Sequence, residues 1–235
     1  GYEELRRRKV ELPYWIKEVA GDAYLYKREP EKALALYQEV KRDKQAMGLD
    51  KYPDNFNLEM ALYAAWCDLE EFGKAGKILD DLDRRMEPFT EQRGVMLENY
   101  QKSRVDMEKG WLMAYQNRLK EADEYLSELL RKAPFDTNLR ASQAYVSMYR
   151  GFNRKALDDF KAARVMDPKN RLVEVGYAYA LDKNDEGLEA REISNRLMGI
   201  SPREPDVIKL KRELDVADKP LARVDFAYGN TQSQT

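Results

Sequence analysis

The sequence contains no histidine and a single cysteine, Cys67. This scarcity excludes Ser-His-Asp and Cys-His catalysis, the usual zinc sites and any disulfide within the chain. We interpret Cys67 as a small packed residue rather than a nucleophile. Acidic pairs such as Asp80-Asp81 and Asp158-Asp159 fall where solvated helix surfaces are expected. The sequence therefore predicts no catalytic residue, no metal site and no cofactor.

Long apolar runs and strong net charge are also missing. No stretch approaches the roughly 18–20 apolar residues that a membrane-spanning helix needs, and no glycine-rich phosphate loop is present. The net charge of −2 argues against a general nucleic-acid binder, and we interpret the basic run Arg6–Lys9 as a solvated helix face. The chain begins with Gly1 and shows no signal peptide, so we expect it to be a fragment of a longer protein.

The sequence does contain a repeat. Two residue types recur every 34 residues, the prolines Pro134, Pro168 and Pro202 and the alanines Ala122, Ala156 and Ala190. A period of about 34 residues is typical of tetratricopeptide (TPR) repeats, which are helix–turn–helix units that stack to bury their apolar faces. The alanine lies where the two helices of a unit approach most closely, and the proline ends the second helix.

This period predicts an all-α TPR superhelix of about five helix pairs with a C-terminal capping helix. We expect the solenoid to occupy residues 1–218, beginning with a partial helix at 1–12. The predicted repeats are about 14–47, 56–89, 103–136, 137–170 and 171–204, followed by the capping helix at 205–218. Residues 219–235 are predicted to be a linker and the start of a following β-barrel, disordered in this fragment, because Val224, Phe226 and Tyr228 alternate with other residues as in a strand.

One interval breaks the period. Ala75 and Ala122 lie 47 residues apart, and the excess falls around Phe89–Gln101. We interpret this insertion either as a loop or as an extension of the third unit's first helix.

Candidate ligand-binding residues follow from repeat geometry, because the first helices of a TPR stack line its concave face. Trp111, Tyr145 and Tyr179 occupy the ninth position of three successive units, and Tyr115 and Tyr149 lie one helical turn further on the same face. The other predicted groove residues are Trp15, Glu18, Asp22, Tyr26, Asp68 and Asp182.

Two interpretations of these aromatic residues remain open. They either pack between adjacent first helices or form a ladder that binds a ligand. Aromatic faces suit the C–H face of a sugar ring because they offer apolar area with little entropy to lose. An ammonium group on the sugar adds about 0.5–1 kcal/mol of cation–π attraction at an exposed site, and the interspersed carboxylates favour the same cation.

Several segments resemble a known family. They are Val165–Asn170, Leu172–Val175, Pro202–Arg212 with Asp215-Val216, Leu12–Trp15, Ala23–Leu25 and Lys32-Ala33, together with the insertion before the third unit. They resemble the PgaA family, the outer-membrane exporters of poly-β-1,6-N-acetylglucosamine, over nearly the whole chain.

The resemblance implies a periplasmic TPR region of an outer-membrane protein in biofilm formation. It implies that Leu221–Tyr228 leads into the exporter's own C-terminal transmembrane β-barrel. It also implies two partners, the partly de-N-acetylated polymer and the periplasmic polysaccharide deacetylase. The alternative is a TPR module that only docks proteins and binds no sugar, and an enzymatic role ranks third.

Overall fold

A computed structural model describes residues 2–51, 53 and 55–217, and within them the chain forms helices and one hairpin. The elements in chain order are α1 (Tyr2–Arg7), α2 (Tyr14–Tyr26), α3 (Pro30–Ala46), α4 (Phe56–Asp68), α5 (Phe72–Arg85), β1 (Phe89–Gln92), β2 (Val95–Glu98), α6 (Tyr100–Tyr115), α7 (Leu119–Lys132), α8 (Thr137–Tyr149), α9 (Asn153–Met166), α10 (Arg171–Asp182), α11 (Gly187–Ile200) and α12 (Pro205–Ala217).

The helices α2 to α11 form five helix–turn–helix pairs that stack in chain order. The second helix of each pair packs against the first helix of the next, and α12 packs on α11 and α10. First helices also touch one another, since α8 contacts both α6 and α10. This stacking confirms the prediction of an all-α TPR solenoid with a C-terminal capping helix. Val207, Leu210 and Leu214 are the side chains that α12 buries.

The repeated alanines lie in the core, where the two helices of a unit approach each other. The second helix of each unit carries one such alanine, and all five are 0% exposed: Ala33, Ala75, Ala122, Ala156 and Ala190. Gly110 makes a similar close approach in the third unit, because a Cβ there would lie 2.5 Å from Leu126 Cδ2. The helix pairs of the last three units therefore meet at Ala122, Ala156 and Ala190, the positions that the 34-residue period predicts.

We expect Ala156→Leu to lower the free energy of unfolding by about 1–3 kcal/mol. Ala156 is completely buried, so the added side chain must force α8 and α9 apart or adopt an unfavourable rotamer. Urea denaturation monitored by circular dichroism measures the change. Lys161→Leu, on the exposed face of the same helix, is the control and should change stability by less than about 0.5 kcal/mol. Equal stability of the two variants would show that the repeat register is wrong.

The insertion between the second and third units forms an antiparallel β-hairpin. β1 and β2 pair with Phe89 opposite Glu98 and Gln92 opposite Val95. Arg93 and Gly94 form the turn with φ values of 53° and 80°, as a two-residue type I′ hairpin requires. The sequence prediction of a loop or a helix extension was wrong here, because the Arg-Gly turn between short strand-forming segments decides the local structure.

The two ends of the chain were also assigned from sequence. The N-terminal helix α1 covers Tyr2–Arg7 within the predicted partial helix. The predicted strand and linker at 219–235 lie outside the described residues. Among the residues that the structure describes, none of the helices has the length and apolar character needed to cross a membrane.

Candidate functional site

The first helices of the stack line one open cavity of about 870 Å³, which we call the groove. Side chains from α4, α6, α8, α10 and α12 face it, and Arg28 reaches it from the turn after α2. Six of the predicted site residues line the groove: Asp68, Trp111, Tyr115, Tyr145, Tyr149 and Tyr179. The stack therefore brings together side chains that are more than 100 residues apart in the sequence.

Trp111 lies at the centre of an aromatic cluster in the groove. Its ring centroid is 5.9 Å from that of Tyr115, 5.7 Å from Tyr145 and 6.4 Å from Tyr149. Because Trp111 and Tyr115 are four residues apart on α6, they lie on one helix face. The indole Nε1 donates a hydrogen bond of 3.0 Å to Ser142 Oγ on α8. These contacts fix the orientation of the indole ring.

The members of this cluster differ in what they offer to a ligand. Tyr115 is 51% exposed and Tyr149 is 55% exposed, whereas Tyr145 is only 7% exposed. The Tyr145 ring packs edge-on against Phe160, with 5.0 Å between centroids, and its hydroxyl donates to the Leu172 carbonyl at 3.3 Å. The packing interpretation therefore holds for Tyr145, which supports the cluster from behind. Tyr115 and Tyr149 present their rings to the groove.

Tyr179 lines both the groove and a second cavity, whereas Asp182 lines the second cavity. Burial, followed by the nearby Glu213 carboxylate, raises the pKa of Tyr179. Asp182 faces a separate cavity of about 350 Å³ that it shares with Tyr179 and Arg212. Its carboxylate lies 3.8 Å from Lys183 Nζ. Asp182 is therefore not among the residues that line the groove.

The predicted residues of the first unit are spread over other surfaces. Asp22 and Tyr26 line a smaller cavity of about 340 Å³ together with Asp68 and with Pro205 of α12. The Asp22 carboxylate accepts a hydrogen bond of 2.7 Å from the Tyr37 hydroxyl. The remaining two candidates of this unit are Trp15, which is 57% exposed, and Glu18, which pairs with Lys44 at 3.6 Å. Neither of these two lines the groove.

Glu108 is a groove residue that the sequence analysis missed, and Tyr63 and Cys67 lie beside it. The Tyr63 hydroxyl donates a hydrogen bond of 3.1 Å to Glu108 Oε2. Burial raises the pKa of Glu108, and the Tyr63 hydrogen bond and the Arg104 charge offset this only in part. Glu108 precedes Trp111 by three residues and Tyr115 by seven, so helical periodicity alone indicates that it shares their face.

Cys67 has the chemistry of a packed residue. Burial raises the pKa of its thiol to about 11, although the neighbouring Tyr63 hydroxyl acts in the opposite direction. The neutral thiol therefore predominates near pH 7, which is the form expected of an unreactive cysteine.

The charges around the groove are mixed in sign, and most are paired. Arg28 Nη1 lies 3.1 Å from Asp68 Oδ1, and Asp206 accepts a 3.0 Å bond from Arg171 Nε. Lys209 lies 3.8 Å from Glu213. Glu108, Arg104 and Glu70 form no ion pair in the described part of the chain, and of the two carboxylates Glu70 is exposed whereas Glu108 is half-buried.

We expect Glu108→Gln to stabilise the ligand-free protein near neutral pH. The folded-state pKa of Glu108 is raised, so the folded state binds more protons than the unfolded state between the two pKa values, and stability falls as pH rises through this window. Glutamine removes that penalty. The melting temperature of the variant should exceed that of the wild type at pH 8, and the difference should shrink toward pH 4, where Glu108 is protonated. A difference that does not depend on pH would contradict the burial of this carboxylate.

No family model matches the chain. Known proteins are similar to it in two ways, in sequence and in structure. In sequence, the chain is 26% identical over 231 residues to the poly-beta-1,6-N-acetyl-D-glucosamine export protein of Escherichia coli K12. The protein of the same name from Escherichia coli O157:H7 is similar to the same extent. The match covers 97% of this chain but only 28% of either relative. The chain thus resembles one part of a longer export protein.

Solved structures share the fold at low sequence identity. A thermophilic TPR protein from Thermus thermophilus matches with a TM-score of 0.60 and 14% identity, covering 87% of this chain and all of that chain. The Rap conjugation gene regulator of plasmid pLS20, in complex with the Phr* peptide, matches with a TM-score of 0.68 and 16% identity. That match covers 87% of this chain and 57% of the regulator. These likenesses establish the TPR fold.

Proposed function

We propose that this chain is a sugar-binding TPR module of an exopolysaccharide export system. Its ligand would be partly de-N-acetylated poly-β-1,6-N-acetylglucosamine, bound in the groove on the periplasmic side of the outer membrane. The observation that carries the proposal is the aromatic cluster around Trp111, which lines a groove shared by successive first helices. The similarity to an export protein for this polymer supports the choice of sugar.

The chemistry of the groove suits such a polymer. The Tyr115 and Tyr149 rings are exposed and held by Trp111, so the C–H face of a sugar can stack on them without ordering flexible side chains. Free amino groups on the polymer are cations, and both the ring faces and the carboxylates Asp68 and Glu108 attract cations. Many weak contacts along one groove hold a polymer while allowing it to slide. This combination favours transport over tight storage.

Calorimetric titration of the chain with glucosamine oligomers of five or six units tests the proposal. We expect saturable binding by the wild type and at least a fivefold weaker affinity for Tyr115→Ala, since the lost ring face contributes of order 1 kcal/mol. Tyr100→Ala is the matched control, because Tyr100 is exposed at the start of the same helix and does not line the groove. The absence of any binding by the wild type would overturn the proposal, and so would equal effects of the two substitutions.

The competing function is the docking of a protein, such as a periplasmic deacetylase, in the same groove. Peptide-binding TPR grooves commonly present lysine, arginine and asparagine, whereas this groove presents mainly aromatic and acidic side chains. A pull-down with the deacetylase separates the two functions. Two results together would favour protein docking. The complex with the deacetylase would persist in excess glucosamine oligomer, and the wild type would not bind the oligomer.

A further inference from the structure

Glu108 is a half-buried carboxylate with few partners. The Tyr63 hydroxyl is the side-chain group that donates to it, at 3.1 Å, and in the described residues it has no ion pair. Arg104, one turn earlier on the same helix, acts on Glu108 through its charge but forms no ion pair with it, and its guanidinium lies 5.8 Å from the centroid of the Phe56 ring. A desolvated carboxylate that forms no direct ion pair is unfavourable for the folded chain. Such a group is expected to serve a ligand.

The surroundings of Glu108 define what that ligand must be. On α6 the Trp111 ring follows one turn later and the Tyr115 ring two turns later, so both rings and the carboxylate line the same wall of the groove. A carboxylate accepts hydrogen bonds only, and the adjacent ring faces attract positive charge. A primary ammonium group meets both requirements, because it carries three donors and a compact charge.

We propose that Glu108 is the specificity-determining residue of the groove, forming with Tyr63, Trp111 and Tyr115 a subsite for one protonated amine. The inference rests on the proposed function for the identity of the polymer. It adds that the Glu108 carboxylate distinguishes a free amino group on the sugar from an N-acetyl group. An N-acetyl group at the same place carries no charge and would leave the carboxylate uncompensated. The subsite therefore selects glucosamine over N-acetylglucosamine.

Other charged groups face the groove, and they do not take the role of Glu108. The cations are Arg28, Arg104 and Lys209, and the anions are Asp68, Glu70 and Asp206. Asp68 and Asp206 are already paired with arginines, and Glu70 is exposed. These six groups set the background potential of the groove, whereas Glu108 shares the wall of the aromatic cluster and forms no direct ion pair within the described residues. Its effect should therefore be local and specific to the amine.

Glu108→Gln tests the inference, because glutamine keeps the shape and still accepts from Tyr63. Calorimetry with glucosamine oligomers and with N-acetylglucosamine oligomers of the same length gives an affinity ratio for each variant. We expect the wild type to prefer glucosamine by about tenfold or more, equivalent to about 1.4 kcal/mol, and Glu108→Gln to reduce this preference to less than about threefold. The affinity for N-acetylglucosamine oligomers should change little.

Asp106→Asn is the matched control. Asp106 lies on the same helix but pairs with Lys102, and it does not line the groove. The substitution removes the same charge, so it should leave the affinity ratio at the wild-type value. Equal losses of preference in the two variants would show that only the overall charge matters and would overturn the inference.

Tyr63→Phe supplies a second readout. It keeps the carboxylate but removes its hydrogen bond, so the pH at which the preference for glucosamine is lost on acidification should move upward, and Glu108→Gln should show no such pH dependence.

A wild-type preference that Glu108→Gln preserves overturns the inference and leaves the proposed function standing. Failure of the wild type to bind either oligomer overturns the proposed function itself. Should Glu108→Gln not fold, the pH profiles of the wild type and Tyr63→Phe decide, and identical profiles overturn the inference.

Discussion

Phe160→Ala is expected to lower the free energy of unfolding by about 3–5 kcal/mol. Phe160 is completely buried on α9, where its ring meets Tyr145 of α8 and fills the space left by Gly176 of α10. A Cβ at Gly176 would lie 2.3 Å from Phe160 Cε1, so the ring and the glycine backbone are in direct contact. Removing the ring leaves a cavity between two repeat units that rigid helices cannot close.

Urea denaturation with a matched control measures this effect. Phe135→Ala removes the same side chain from a position that is 84% exposed, and it should change stability by less than about 0.5 kcal/mol. Since Phe160 supports Tyr145 and Tyr145 supports Trp111, Phe160→Ala should also weaken oligomer binding at a temperature where the variant is folded. A loss of stability below about 1 kcal/mol would contradict the packing between the fourth and fifth units.

The second large effect concerns binding. Trp111→Ala is expected to lower the affinity for glucosamine oligomers by about 2 kcal/mol, which is roughly 30-fold. The indole contacts Tyr115, Tyr145 and Tyr149 at once. Its loss therefore removes one ring face and also releases the two exposed tyrosines that a sugar would stack on. Calorimetric titration at a fixed ionic strength gives the change.

Trp111→Phe separates the two causes of this loss. Phenylalanine keeps an aromatic face but loses the hydrogen bond to Ser142, so we expect an affinity between those of the wild type and Trp111→Ala. Thermal melting of both variants must show that they are folded at the titration temperature. An affinity for folded Trp111→Ala within twofold of the wild type would remove the aromatic cluster from the binding site.

The sequence predicts the fold because the period is a property of the chain itself. The fixed spacing of Ala122, Ala156 and Ala190 places small side chains wherever two helices of a unit meet, and all three are buried as expected. The hairpin at Phe89–Glu98 lies outside this rule. It depends on a local turn at Arg93-Gly94, which repeat spacing does not encode.

For the site, the sequence predicts which face of the stack carries the aromatic residues, but not which of their rings are exposed. The ninth and thirteenth positions of the units do bring Trp111, Tyr115 and Tyr149 to one groove. The burial of Tyr145 depends on Gly176 in the next unit, where a Cβ would lie 2.9 Å from Tyr145 Cζ. Whether the Tyr145 ring is exposed or buried therefore depends on Gly176, which lies 31 residues later in the sequence. The sequence analysis missed Glu108 because its position within the repeat unit is not among those that repeat geometry assigns to the groove.

The fluorescence of Trp111 tests the central claim most directly. The sequence has three tryptophans, Trp15, Trp66 and Trp111, so Trp15→Phe combined with Trp66→Phe leaves Trp111 as the sole reporter in the groove. Titration with glucosamine oligomers should give a saturable change in its emission, with the same Kd as calorimetry and a smaller response to N-acetylglucosamine oligomers. Oligomer binding detected by calorimetry while the Trp111 emission stays constant would contradict the account.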